Sequence, residues 1–101
     1  MTHQGLYDIA FLRAFPGITL MAPADPPEPE AMLRHALSLP GPSAVRYPRG
    51  SAPDRALAGN SLLANGGRLK TGKGVLLRPG KDLALLAYGS MVATALEVAE
   101  R

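Results

Sequence analysis

Apolar residues recur along this chain in short blocks, and their spacing predicts helices alternating with strands. Residues 6–14 read as a short helix, with Leu6, Ile9, Ala10, Phe11 and Leu12 spread over more than one side. A helix apolar on several sides is expected to be buried. Pro16-Gly17 breaks it, and residues 18–22 (Ile-Thr-Leu-Met-Ala) read as a buried strand closed by Pro23. Met32, Leu33, Ala36 and Leu37 then form the i, i+1, i+4, i+5 stripe of a second helix. Two starts compete for it. Asp25 as N-cap puts Pro26 at N1 and Glu28 at N3, a capping-box arrangement, but leaves Pro29 at N4, where it removes a hydrogen bond. A start at Glu28 with Pro29 at N1 avoids that loss. Pro40-Gly41-Pro42 stops the helix, and residues 43–47 read as a second strand.

The order helix, strand, helix, strand argues for an α/β fold with a parallel sheet covered on both faces. Residues 51–67 change character: Pro53, Gly59, Asn60, Asn65, Gly66 and Gly67 fall without any sustained period, as in a linker or a long excursion. A new unit opens near Lys70. Residues 74–77 and 83–88 read as strands, with Pro79-Gly80 at the centre of a type II turn that needs positive φ at Gly80. Gly89-Ser90 is a tight exit with Ser90 as N-cap, and Val92, Ala95, Leu96 and Ala99 mark one face of a last helix. Both ends look cut: His3 stands almost at the start with no strand before the first helix, and a single βα unit cannot bury both faces of its strand. A piece of a larger protein is expected, straddling a domain boundary near residues 51–70.

Composition narrows the function classes. The length of 101 residues allows at most one domain's worth of chain. An apolar fraction of 47% suffices for a core, and a charged fraction of 19% is too low for a disordered tail. Without cysteine there is no disulfide framework and no thiolate chemistry, which fits a reducing cytoplasm, the expected compartment. No apolar run approaches the ~18 residues of a membrane span, and the N-terminus shows neither a basic nor an apolar region of a signal peptide. The net charge is +3, and five of the eleven basic residues fall between Arg68 and Lys81. No aromatic residue lies among them for base stacking, so a solvated surface is expected there, not a nucleic-acid site.

Candidate chemistry concentrates in two places. In Val45-Arg46-Tyr47-Pro48-Arg49-Gly50, Pro48 cannot donate to a ladder and ends the strand, so Arg49 falls past its carboxyl end. Ligands bind there in open α/β sheets, and a guanidinium is a planar, always-charged fork for phosphate or carboxylate. An ordinary surface arginine is the competing reading. Arg46 lies on the opposite face from Val45 and Tyr47 and is expected to be structural, with a buried carboxylate as its natural partner. The second place is Thr2-His3-Gln4-Gly5. His3 precedes a helix, and an imidazole titrating near neutrality suits proton transfer, although a histidine beside a terminus is also commonly idle. His35 reads as a packing or surface residue, and Asp8 and Asp25 as helix-associated acids. Thr71-Gly72-Lys73-Gly74 superficially resembles a phosphate loop, but it lacks the G-x-x-x-x-G-K-[ST] order and opens a strand. No metal-ligand spacing is present.

Taken in series, Thr2-His3-Gln4-Gly5, Tyr7-Asp8, Leu12-Arg13, Pro16, residues 18–21, Pro23-Ala24-Asp25, the run from Gly41 to Gly50 and Gly72-Lys73-Gly74 closely resemble the 1-deoxy-D-xylulose-5-phosphate synthases. These are thiamine-diphosphate-dependent enzymes of the transketolase superfamily. Pro42-Ser43-Ala44-Val45-Arg46-Tyr47-Pro48-Arg49-Gly50 is the specific part, and Thr-His-Gln is shared more widely with transketolases. The resemblance implies that residues 1–50 are the later half of a pyrimidine-binding domain, 51–70 a linker and 71–101 the start of a transketolase C-terminal-like α/β domain. It implies a parent that condenses pyruvate with glyceraldehyde 3-phosphate, releasing carbon dioxide, on the way to isoprenoid, thiamine and pyridoxal precursors. In that parent His3 would be catalytic, facing the substrate to position it or relay a proton, and Arg49 would bind the substrate's phosphate. The two are expected to converge on one phosphorylated substrate. Thiamine diphosphate and Mg2+ would be cofactors of the parent, which would be a homodimer.

The chain departs from that family in ways that matter. The Gly-Asp-Gly motif followed by asparagine is absent, as is the glutamate that activates the aminopyrimidine, and Asp25-Pro26-Pro27-Glu28-Pro29-Glu30 is richer in proline than the family's helix start. The 51–70 segment matches weakly. The isolated chain is therefore expected to lack synthase activity and to depend on the rest of its parent to fold. A piece of another transketolase-like enzyme and a non-catalytic orphan fragment are the competing readings.

Overall fold

A computed structural model of the chain describes residues 5–50 and 68–101. His3 and most of the expected linker, residues 51–67, lie outside the described residues. Helix α1 is Asp8–Leu12, strand β1 Thr19–Met21, helix α2 Glu28–Ser38, strand β2 Ser43–Val45 and helix α3 Met91–Glu100.

β1 and β2 pair in parallel, with Thr19 opposite Ser43, Leu20 opposite Ala44 and Met21 opposite Val45. Two further backbone bonds extend the pairing. The Thr19 N–H donates to the Pro42 carbonyl at 2.9 Å, and the Arg46 N–H donates to the Met21 carbonyl at 2.8 Å. With α2 as the crossover this is a βαβ unit, the arrangement that parallel strands require. Both strands are shorter than the apolar blocks at 18–22 and 43–47, because a strand ends where its partner's ladder ends.

α1 is also shorter than its block. Past Leu12 the chain tightens into i→i−3 bonds, from Ala14 to Phe11 and from Phe15 to Leu12, before Gly17 turns it with a φ of 80°. The helix is not buried, contrary to its composition: no residue of α1 is fully enclosed, and Leu6 and Phe11 are exposed. A two-stranded sheet covers too little of a helix that is apolar on several sides.

α2 takes the later of the two expected starts. Pro27 is the N-cap, so Pro29 falls at N2 and not at the expected N1; in that first turn too its missing N–H would be unpaired anyway. The capping box at Asp25 does not form: among the described residues neither Asp25 carboxylate oxygen has a partner, the Glu28 N–H it would take donates to the Asp25 carbonyl at 3.2 Å, and the Glu28 carboxylate accepts from the Ala24 N–H instead. The expected stripe splits. Met32 is buried and Ala36 half-buried, whereas Leu33 and Leu37 face out, Leu37 with 90% of its surface exposed.

The region from Arg68 onward departs most from expectation. No strand forms at 74–77 or 83–88. Val75, Leu76, Leu83, Leu85 and Leu86 are exposed, since an extended segment becomes a strand only against a partner and neither segment finds one. Gly80 does not take positive φ, so the type II turn expected there is absent. Gly72 does, at 72°, inside a turn closed by the Lys73 N–H on the Lys70 carbonyl at 3.2 Å. The Thr71-Gly72-Lys73-Gly74 sequence is thus a tight turn. α3 follows its pattern: Gly89 (φ 59°) makes the exit and Ser90 the N-cap, though without a side-chain bond. Val92 is buried, with Ala95, Leu96 and Ala99 half-buried beside it. Among the described residues Met32 and Val92 form the buried apolar core, with Pro23 enclosed as well. No helix among them is long and apolar enough to cross a membrane.

Candidate functional site

Because β1 and β2 are parallel, their carboxyl ends open on one side. Residues 22–25 leave β1 there and residues 46–50 leave β2. Ligands of open α/β sheets bind beyond such ends.

Arg46 is held at this edge by its backbone bond to Met21, and its guanidinium reaches back to the start of α1. Nε donates to Asp8 Oδ2 at 2.6 Å and Nη2 donates to the Gly5 carbonyl at 2.7 Å. The expected carboxylate partner is therefore Asp8. The pair is only partly buried, with side-chain exposures of 43% for Arg46 and 26% for Asp8. Asp8 Oδ1 is enclosed and has no hydrogen-bond partner among the described residues. Asp8, the first residue of α1, also suits the positive end of the helix dipole. A groove of about 400 Å³ runs past this pair, bounded by Leu12, Met21, Ala44 and Tyr88.

Arg49 lies four residues beyond β2, in an exposed bend. Among the described residues it makes no ion pair and no hydrogen bond, in contrast to Arg46. His3, the other expected site residue, lies outside the described residues.

On the β1 side Asp25 is buried, and among the described residues neither of its carboxylate oxygens has a partner. Glu28 occupies the same turn. Burial raises its pKa above the usual carboxylate value. The Ala24 N–H, donated to Oε2 at 2.7 Å, opposes that rise, and the charge of Asp25 adds to it. Beyond them a second groove of about 550 Å³ lies between Met32, Lys70, Lys73 and Val92. His35 is a linking residue, with Nε2 3.0 Å from Thr71 Oγ1. Sequence reasoning singled out Arg46 but not the Gly5 carbonyl or the identity of the carboxylate. Their one signal was an acid in the first turn of α1, 38 positions away, and no local pattern spans that distance.

Among the described residues no group of three His, Cys, Asp or Glu could hold a metal ion, and the chain contains no Gly-Asp-Gly. The residues present do not fit the metal–diphosphate end of a thiamine cofactor.

Comparison with known proteins agrees with this arrangement. The chain is 50% identical over 101 residues to the 1-deoxy-D-xylulose-5-phosphate synthase of Thermosynechococcus vestitus, covering 98% of this chain and 15% of that protein. It is 46% identical over 99 residues to the synthase of Dechloromonas aromatica and 48% identical over 101 residues to that of Microcystis aeruginosa, with the same coverage. The chain thus spans about 15% of the length of the curated relatives it matches. No solved structure matches it. The model of the transketolase pyrimidine-binding domain matches residues 1–55, more than half of the sequence and the whole βαβ unit. By that match the chain belongs to the transketolase pyrimidine-binding domain family.

Proposed function

We propose that this chain is a segment of a 1-deoxy-D-xylulose-5-phosphate synthase, a cytoplasmic homodimer that condenses pyruvate with glyceraldehyde 3-phosphate and releases carbon dioxide. The observation that carries this reading is the identity with such synthases across 98% of the chain. The segment includes the Val45–Gly50 run at the carboxyl end of a parallel pair. Thiamine diphosphate and Mg2+ act in the whole enzyme, and the ligands for the diphosphate and the metal come from outside these residues. Residues 71–101 begin the C-terminal-like domain of that enzyme.

Within it Arg49 binds the phosphate of glyceraldehyde 3-phosphate. Its planar fork gives two parallel charge-assisted hydrogen bonds and needs no proton transfer. His3 faces the reacting end of the substrate, orienting it or moving a proton. The test is a chimera in which this chain replaces the matching segment of the Thermosynechococcus vestitus synthase. It is assayed for product formation from pyruvate and glyceraldehyde 3-phosphate. Arg49→Ala is expected to raise the KM for glyceraldehyde 3-phosphate roughly 10- to 100-fold, the value of charge-assisted bonds to one anion, and to leave the KM for pyruvate nearly unchanged. Equal effects on both substrates would remove Arg49 from the phosphate site. Turnover of ketose phosphates in place of pyruvate would point to another transketolase-like enzyme.

A further inference from the structure

We propose that Arg46 is a positioning residue of the active site. Its guanidinium clamps Gly5 and Asp8, which follow His3 in the chain, onto the edge of the sheet that leads to Arg49. This inference rests on the reading of His3 and Arg49 given above.

One planar group makes both contacts. Nε bonds to Asp8 Oδ2 at 2.6 Å and Nη2 to the Gly5 carbonyl at 2.7 Å, while the Arg46 backbone is bonded to Met21 at 2.8 Å. Gly5 is two positions after His3, and Arg46 is three positions before Arg49. The guanidinium therefore joins the two stretches that hold the proposed site residues, although they lie more than forty positions apart in the chain.

A purely stabilising role fits this contact poorly. The ion pair is partly open to solvent, and such pairs contribute little to stability. Its second bond goes to a backbone carbonyl in a turn ahead of a five-residue helix with no buried side chain. What it supplies is a fixed geometry between two chain segments. Arg49 itself is tied to β2, which the ladder holds to β1 whatever the Arg46 side chain does. The loss of the guanidinium should therefore release Gly5 and Asp8, and with them disturb the function of His3, while leaving Arg49 on its ladder-held strand.

The test uses the chimeric synthase. Arg46→Gln is expected to lower kcat at least tenfold while changing the KM for glyceraldehyde 3-phosphate less than threefold. Arg46→Lys does not rescue it, because a single ammonium lacks the fork that reaches both acceptors. Asp8→Asn, which keeps the shape of the partner, reproduces the loss in part and replaces Arg46→Gln if that variant fails to accumulate. The decisive measurement is the double-mutant cycle with His3→Ala. If Arg46 acts through His3, Arg46→Gln costs no further kcat in the His3→Ala background. Independent, multiplying losses would overturn the positioning role while leaving His3 in the site, and full rescue by lysine would overturn the clamp. An unchanged kcat in His3→Ala alone would instead remove the histidine from the proposed function, a separate failure.

Discussion

The two described regions of the chain carry similar short apolar blocks and reach different structures. Residues 5–50 contain two apolar blocks that find each other and form a parallel ladder around α2. Residues 68–101 contain two blocks that are at least as apolar, at 74–77 and 83–88, and form no strand. Leu86 is 98% exposed, whereas Leu20, in β1, is half-buried. Helices form in both regions, because an α-helix satisfies its backbone within itself, and a strand satisfies nothing without a neighbour. The comparison teaches that an apolar block becomes a strand only where a second block lies alongside it to complete its backbone hydrogen bonds.

Supplying that partner is the most direct way to break the contrast. Amide hydrogen exchange at residues 83–88 is expected to be nearly unprotected in the isolated chain and slowed by orders of magnitude in the chimeric synthase. Continued fast exchange in the chimera would show that the segment is a loop by nature. A smaller effect tests the region that is already formed. Met32→Ala removes a buried side chain and should cost about 2–4 kcal/mol in the chimera, read from its denaturation midpoint. Leu37→Ala, on the exposed side of α2, serves as the control and should cost little unless the parent covers that face.

The smallest expected effect is a pH dependence at Glu28. Burial first, with the charge of Asp25, holds its carboxyl above the usual value against the pull of the Ala24 N–H. The folded chain therefore binds this proton more tightly than the unfolded one. The stabilisation is complete below the ordinary carboxylate range and is lost as pH rises through the raised value. Glu28→Gln keeps an acceptor for Ala24 and removes the charge. Its stability relative to the unaltered chimera should rise across that window, and an advantage that shrinks with rising pH would contradict the sign.

Much of this was legible from local pattern. The face of α3 at Val92, Ala95, Leu96 and Ala99, the later start of α2 and the parallel pairing of the two N-terminal blocks all follow from periodicity and from proline chemistry. Arg46 was legible as structural from the alternation of its strand. Other features were not. The exposure of Leu33 and Leu37 depends on the width of the sheet beneath them. The turn at Gly72 instead of Gly80 depends on where the chain reverses in space, and Pro79-Gly80 is a permissive sequence, not an instruction.

The amino-acid order alone determined which stretches become helices, which blocks can extend, and the family signature around Arg49. It could do so because each of these depends on neighbours a few residues apart. Only the tertiary structure decided which blocks became strands, that Asp8 and the Gly5 carbonyl take the Arg46 guanidinium, and that Asp25 is enclosed with no partner among the described residues. Those outcomes join residues far apart in sequence, and no local spacing encodes the distance between them.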